Sequence, residues 1–547
     1  MRLWPYVVVI VLSFPLLIPY LLPGYFTTQD GGWAVVRLTE MHRELKELQI
    51  PPRWAGYLNH GYGYPLFLFA YPFPYYLGEF LHLIGFGFVE SVKGVFLISI
   101  VVSGLTMYLL GSSLWGTVGG LISAIFYLYT PYRLVNLFIR GSIGESLALV
   151  FFPLLFWIIL KLHHSPSWKR TLMGSLVFAT LILTHNASTI LFLPVLGIWV
   201  VMHLAEHVSG QGVSGLWGDL SQKYFMLLVV GMLLSAYSWL PAIVEKSFIV
   251  LDSIPLADKS AHYLSIGELF RANIGASKPP VTIGIIPLLA GAFGIAVLFF
   301  NRSSIKVRKL GIFLSLTLGI TVFLLFHESN WLWQLPILGE IDFPWRILLI
   351  ITFLISLAAG SLGINKLGRV LGVIAAIALF IISIKQIVIL KRTNFADAYY
   401  ATNDATTTSA DELMPIWVKN KPTKLSTEKI QLVPSNYQNT GDTKISTYQI
   451  LSQTSTNLRF DSTVREPVMA RINTLYFPGW AVFIDGNTVP VSAEPQTGII
   501  NFPLAEGYHK VDLIFKRTPV RIAADILSIL GITVVFGIWT FLKKYSR

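Results

Sequence analysis

Long apolar runs alternate with short polar connections along this chain, and the runs set its architecture. Stretches close to the 17–25 residues that carry a helix across a bilayer fall at about 4–23, 94–111, 115–131, 146–161, 171–186, 187–205, 224–243, 281–300, 310–326, 344–363, 367–390 and 520–542. About 12 membrane helices are therefore predicted. The run after Met1-Arg2 looks like a signal peptide, but no small-x-small cleavage site follows it. The chain continues PGYFTTQDGGW, so the run is read as a retained first span. Residues 65–88 are apolar enough to suggest one span more. Pro65, Pro72 and Pro74 argue against a straight helix there, and counting it would put the basic run KLHHSPSWKR outside.

The basic short connections are Lys161–Arg170, Asn301–Lys309, Asn365–Arg369 and the tail KKYSR. Basic loops stay on the cytoplasmic side, which places 24–92, 132–145, 244–280, 327–343 and 391–519 outside. Within 24–92, Val35, Leu38, Met41, Leu45 and Leu48 form one apolar stripe at helical spacing. Arg37, Glu40, Arg43, Glu44 and Lys46 lie off it, which predicts an amphipathic surface helix. In 391–519 Thr, Ser, Asn and Asp rise, and the apolar period changes from helical to alternating. MARINTLYFPGWAVFIDGNTVPV reads as two strands, with Asp485-Gly486 as the turn between the second and its continuation. Strand-like runs at 445–451 and 509–516 complete a predicted small β-sandwich. The expected fold is a polytopic α-helical membrane protein over 1–390, an extracytoplasmic β-rich domain over 391–519, and a last membrane helix with a basic cytoplasmic tail over 520–547.

Composition sharpens this. Of 547 residues, 54% are hydrophobic and 13% charged, with a mean hydropathy of +0.63. Soluble domains carry about 25% charged residues, so an ordinary soluble enzyme is excluded. The net charge of +12 belongs to cytoplasmic loops rather than to a nucleic-acid surface. The chain has no cysteine, which excludes thiol catalysis, disulfides and Cys-ligated metals. No P-loop, H-E-x-x-H or G-x-S-x-G motif occurs.

The remaining candidates are polar residues at the outer ends of predicted helices. Asp30 follows the first span directly; it is either a helix N-cap, with Thr27 and Thr28 beside it, or a functional carboxylate. The stretch 131–150 holds Arg133, Arg140 and Glu145 on the side where arginines are scarce. They either snorkel and pair among themselves or grip a phosphate. His185 sits in a tight turn (LTHN), and Arg346 opens the tenth span in FPWR. The run NHGYGYPLFLFAYPFPYY, with His60, Tyr62 and Tyr64, is an interfacial aromatic belt or a stacking wall for a lipid or sugar.

Taken in order, Asp30, P-P-R-W (51–54), G-Y-G-Y-P (61–65), P-Y-R…R-G-x-x-x-E, T-H-N and F-P-W-R resemble a bacterial group of membrane proteins labelled "6-pyruvoyl-tetrahydropterin synthase-related". That group is similar in layout to GT-C glycosyltransferases. The tail Y-F-P-G-W…D-G resembles the outer β-domain of YfhO-like membrane glycosyltransferases. The resemblance covers nearly the whole chain. It implies transfer of a hexosyl or pentosyl unit from a polyprenyl-phosphate-linked donor to a glycan, lipid or protein acceptor, at the outer face of the cytoplasmic membrane.

In that reading Asp30 is the base that takes the acceptor's proton. Arg140 and Arg346, supported by Arg133 or His185, stabilise the departing lipid phosphate, and a single displacement inverts the anomeric centre. Glu145 either shares a divalent cation, magnesium or manganese, with Asp30 or orients the acceptor, and the β-domain positions the acceptor. Two other functions stay open: a flippase or transporter for a lipid-linked saccharide, and a non-catalytic assembly protein for envelope polysaccharide.

Overall fold

The computed structural model describes residues 3–211, 218–253, 257–271, 281–300, 305–387, 392–426, 428–434 and 446–545. The helical part begins with α1 (Trp4–Leu21), followed by α2 (Gly31–Lys46), α3 (Phe73–Leu83) and α4 (Phe88–Tyr129). It continues with α5 (Ile143–His164), α6 (Trp168–Thr184), α7 (Asn186–Gln211), α8 (Asp219–Val244) and α9 (Ile285–Phe300). Then come α10 (Ile305–Phe323), α11 (Leu348–Gly360) and α12 (Lys366–Lys385), and α13 (Pro519–Tyr545) follows the sheets. Among the described residues, eight helices are long and apolar enough to cross a membrane.

The twelve predicted apolar runs all fall on helices, with shifted limits. The runs 94–111 and 115–131 are parts of one element, α4, which starts earlier at Phe88 and breaks at Gly116. The run 367–390 ends as helix at Lys385, and residues 388–390 lie outside the described ones. Residues 65–88 hold only a single helical turn and the 11-residue α3, too short to cross.

Helices α5 and α11 are buried along nearly all their length and form the centre of the bundle with α4. Helices α1, α12 and α13 lie on the rim and turn residues such as Phe14, Ile374 and Phe536 outward, as helices facing lipid do. The two ends of the bundle are distinct. At one, His163 and Lys306 both meet Glu206, at 3.5 and 3.1 Å. At the other, the Lys93 ammonium donates to the Leu22 carbonyl at 2.9 Å, and β1 (Tyr25–Phe26) pairs with β2 (Arg392–Thr393). Two of the basic connections, 161–170 and 301–309, thus meet at one end, while the first polar loop and the start of the β-region meet at the other.

The β-region consists of β3 (Ile430–Pro434), β4 (Thr447–Gln453), β5 (Asn457–Val464), β6 (Val468–Leu475), β7 (Trp480–Ile484), β8 (Asn487–Val489), β9 (Ser492–Ala493), β10 (Ile499–Leu504) and β11 (Gly507–Phe515). They form two antiparallel sheets, β3-β6-β10-β9 and β4-β5-β11-β7-β8. Asp485 and Gly486, both at positive φ, make the tight turn between β7 and β8. The alternation in β5, with Leu458, Phe460, Ser462 and Val464 inward, gives its sheet one buried face.

Helix α13 ties the β-region to the bundle. The Arg521 guanidinium makes a buried ion pair with Glu245 at 2.8 Å, and the Tyr237 backbone N–H donates to Ser528 Oγ at 2.9 Å.

The first polar loop departs from expectation. Helix α2 does not lie on the surface: Val35, Leu38 and Met41 are buried as the stripe requires, but so are Glu40 and Glu44. Leu48 falls beyond the helix end and is exposed. The polar face is covered by the loop at 54–57 and by the β-region. Glu40 accepts from the Tyr57 N–H at 2.9 Å, Glu44 from the Gly56 N–H at 3.0 Å and from the Ser455 hydroxyl, and Glu47 from the Ser455 N–H at 2.7 Å. These bonds offset part of the cost of burying the acids, although Glu40 Oε2 has no hydrogen-bond partner among the described residues.

Candidate active site

Asp30 occupies the N-cap position of α2, yet its side chain caps nothing. The cap bond comes from Thr28, whose Oγ1 accepts from the Gly31 N–H at 3.0 Å. Asp30 is instead positioned through its backbone: its N–H donates to the Arg140 carbonyl at 2.7 Å, and the Gln29 N–H to the Ile139 carbonyl at 3.0 Å. That docking needs a close approach. Gly141 has φ +65°, and a Cβ on it would lie 2.2 Å from Thr28 Oγ1.

The partner segment is not the loop expected at 132–145. It is a helical turn over Pro131–Leu134 running into a π-helical stretch, Val135–Arg140, and nearly all of it is buried. A π turn is wider than an α turn, so Arg133 and Arg140 face differently although they are seven residues apart. Arg140 turns to Glu145, with its Nη1 2.6 Å from Oε2, also donates to Asn136 Oδ1 at 2.7 Å, and stacks on the Trp345 ring at 4.7 Å. Arg133 turns into the bundle, where it donates to the Ser146 and Ser99 carbonyls and to Ser103 Oγ at 3.0–3.3 Å. It is fully buried away from the cavity, so its expected contact with a phosphate does not fit this geometry.

A cavity of about 270 Å³ opens beside Asp30. Asp30, Arg140, His185 and Arg346 share its wall. The structure therefore brings together four of the nine candidate residues. Glu145 stands behind them: it is 1% exposed, accepts from the Tyr132 hydroxyl at 3.1 Å, and its Oε1 lies 3.7 Å from Arg346 Nε. That last separation is too long for a hydrogen bond, and among the described residues both atoms lack a hydrogen-bond partner.

His185 is locked from behind. Its Nδ1 accepts from the Ser188 N–H at 3.1 Å, which leaves the neutral ring's proton on Nε2 as a donor. Its ring lies 5.0 Å from that of Tyr71. Both rings press on Gly144, where a Cβ would come within 2.8 Å of each.

A cation shared by Asp30 and Glu145 does not suit these residues. Glu145 is already neutralised between two guanidinium groups, and a divalent ion at its open oxygen would sit against Arg346. No group of three or more His, Asp and Glu side chains able to hold a metal occurs among the described residues.

The other candidates lie elsewhere. His60 pairs with Asp404 at 3.1 Å and, with Tyr62, lines a separate groove. Tyr64 is buried and accepts from the Thr407 N–H at 3.2 Å. It supports the cavity wall without reaching the cavity.

Several lining residues were not anticipated. Arg37 donates from Nε to Thr407 Oγ1 at 3.0 Å and from Nη2 to the Thr407 carbonyl. Together with Trp33 and Ala34 it falls three, four and seven residues after Asp30, on one helical stripe; that spacing was the available signal. Tyr71 and Tyr75 come from the aromatic run, further along than the residues singled out there. Thr407–Ser409 and Glu412-Leu413, from the segment leading into the sheets, had no signal at all.

No known protein-family profile matches the chain. An uncharacterised protein of Lactococcus lactis subsp. cremoris is 23% identical over 212 residues, 38% of this chain and 34% of that protein. In structure, the chain is similar to the arabinofuranosyltransferase AftD from mycobacteria, with a TM-score of 0.48, 15% identity, and coverage of 72% of this chain and 27% of that one. It is also similar to the archaeal oligosaccharyltransferase AglB from Archaeoglobus fulgidus, solved with an inhibitory peptide and a dolichol-phosphate; there the TM-score is 0.41, the identity 14%, and the coverage 72% and 56%. The chain thus spans about a third of the length of the matched curated relative.

Proposed function

We propose that this protein is a membrane glycosyltransferase of GT-C type. It moves a sugar from a polyprenyl-phosphate-linked donor to an acceptor at the outer face of the cytoplasmic membrane. The observation that carries the reading is the division of charge across one cavity. Asp30 presents a carboxylate left out of the helix cap, while Arg140, Arg346 and Arg37 surround the same space.

The chemistry follows from that division. A departing lipid phosphate develops negative charge, which fixed guanidinium groups and the His185 Nε2–H stabilise without reorganising. Glu145 acts on the arginines rather than on substrate: it aims Arg140 through a direct ion pair, and its charge lets Arg346 stand close by. Asp30 takes the proton from the acceptor hydroxyl as that oxygen attacks the anomeric carbon from the face opposite the phosphate. One displacement of this kind inverts the anomeric centre.

The test is transfer by purified protein in lipid, using polyprenyl-phosphate donors that carry different sugars, with the product anomer read by NMR. The expected result is an inverted product from at least one donor. Loss of a phosphate-stabilising donor by Arg346→Met should lower turnover about 10²–10³-fold. A retained anomer would refute the single displacement, and full turnover in Arg346→Met would refute the role of the cation.

A further inference from the structure

Two further cavities lie between the first polar loop and the β-region, and glycosyl transfer at Asp30 makes no use of them. The larger, of about 590 Å³, is bounded by Arg43, Lys46 and the 401–404 segment; the smaller, of about 300 Å³, by Trp54, Tyr62 and Gln453–Ser455. Tyr57 and Leu425 line both, so the two cavities form one groove with the Tyr57 ring between them.

Tyr57 is 39% exposed yet held at two points. The Arg43 guanidinium lies 5.2 Å from its ring centre, and its hydroxyl donates to Glu47. Arg43 borders only the larger cavity, so the ring's other face is open toward the smaller one. An immobilised, half-exposed aromatic ring gives a stacking surface at low entropic cost.

Polar groups surround that face. Gln453, Thr454 and Thr474 supply an amide and hydroxyls, and Lys429 uses two of its donors on the Gly61 and Asn473 carbonyls at 3.1 and 2.9 Å. Trp54 is fully buried with its Nε1–H unpartnered among the described residues. That nitrogen packs on Gly63, where a Cβ would lie 2.5 Å from it, so Trp54 forms the floor of the groove. The backbone beside it is strained: Asn59 and His60, neither of them glycine, both have positive φ, and such strain concentrates at ligand sites.

The larger cavity is charged, with Arg43, Lys46, Glu47 and Asp404 on its wall. The smaller one carries only Lys429 and His60, both already partnered, so its amides and hydroxyls beside the Tyr57 ring fit a saccharide better than an anion or a lipid tail. We propose that this groove binds a neutral oligosaccharide, stacked on Tyr57 and hydrogen-bonded by Gln453 and its neighbours.

Its use as the acceptor subsite rests on the glycosyl-transfer reading, and the chain provides a link. Ala401–Asp404 lines the groove and Thr407–Ser409 lines the catalytic cavity. Three residue steps separate Asp404 from Thr407, about 11 Å at full extension. The groove and the catalytic cavity are therefore bordered by one short stretch of chain, which places an acceptor held in the groove on the same side of the protein as Asp30.

The experiment measures binding without donor, on the full-length protein in nanodiscs, using fluorescently labelled mannohexaose, maltohexaose, chitohexaose and galactohexaose. At least one should bind. Gln453→Ala, on an exposed strand end, should weaken it about five- to tenfold, and Tyr57→Ala by at least about tenfold, with melting unchanged in Gln453→Ala. No binding across the four, or parental affinity in Gln453→Ala, overturns the groove. Asp30→Asn should bind like the parent, so a failure of the catalytic reading leaves this measurement standing.

Discussion

At Asp30 two roles that the sequence left equal are separated by a neighbour, because Thr28 performs the capping. Asn caps about as well as Asp, so Asp30→Asn should melt with the parent protein. Thr28→Ala should cost about 0.5–2 kcal/mol, seen as earlier loss of α2 in hydrogen exchange. An Asp30→Asn protein as destabilised as Thr28→Ala would return Asp30 to a structural role. Asp30 was legible because an acid directly after a first span has few explanations. Arg37 was not, since an amphipathic pattern already accounted for its charge. Arg133 and Arg140 looked equivalent at seven residues apart, and only the π-helical stretch between them separates their directions. Arg133→Met should therefore lower stability by about 1–3 kcal/mol through lost buried hydrogen bonds. It should leave donor affinity unchanged; a raised donor KM would place Arg133 on the substrate after all.

Helix α2 is where pattern and packing diverge. Its apolar stripe was legible, but its opposite face carries acids that the β-region and the 54–57 loop cover, and the contact of Glu44 and Glu47 with Ser455 joins segments about 400 residues apart. Burial pushes the Glu40 carboxyl up to about 7. Burial and the charge of Glu40 push Glu44 well above the usual range. Both shifts favour the protonated folded form. The Glu40 contribution is fully present below the unfolded carboxyl value of about 4.3 and is lost as pH rises through about 7, and that of Glu44 is lost in the same direction. The docking of α2 on the β-region should accordingly be more stable at about pH 5 than at about pH 8, by melting or by protease resistance of the first polar loop. Glu40→Gln should flatten that dependence. A parent protein more stable at the higher pH would mean that the two acids are ionised and paired in the fold. The strands were legible where a turn punctuated them, as at Asp485-Gly486; β5 alternates as clearly but lacks such a marker.

For the molecule as a whole, the placing of the helices follows from hydropathy, which a bilayer enforces strongly. The expected count of about 12 spans, by contrast, stands against eight helices long and apolar enough to cross among the described residues, one of them, α4, holding two of the runs. The topology count, which sets Asp30, Glu145, His185 and Arg346 at outer helix ends, predicts that they share one cavity. Asp30, His185 and Arg346 do, while the packing of the helix ends puts Arg140 on the wall and Glu145 behind it. The chain's lack of cysteine makes the orientation directly measurable. Thr488→Cys in the exposed strand β8 should react with an impermeant maleimide in intact cells, and Ser165→Cys only after permeabilisation; the reverse would turn the protein over in the membrane. The central claim is that Asp30 is the base for glycosyl transfer at the β-region's end. It is tested most directly in oriented proteoliposomes loaded with a polyprenyl-phosphate sugar that the parent protein uses, with acceptor supplied on the side from which the Thr488→Cys variant is labelled. The account predicts transfer by the parent protein and a fall of roughly 10²–10⁴-fold in Asp30→Asn at unchanged folding. Full transfer by Asp30→Asn would contradict it.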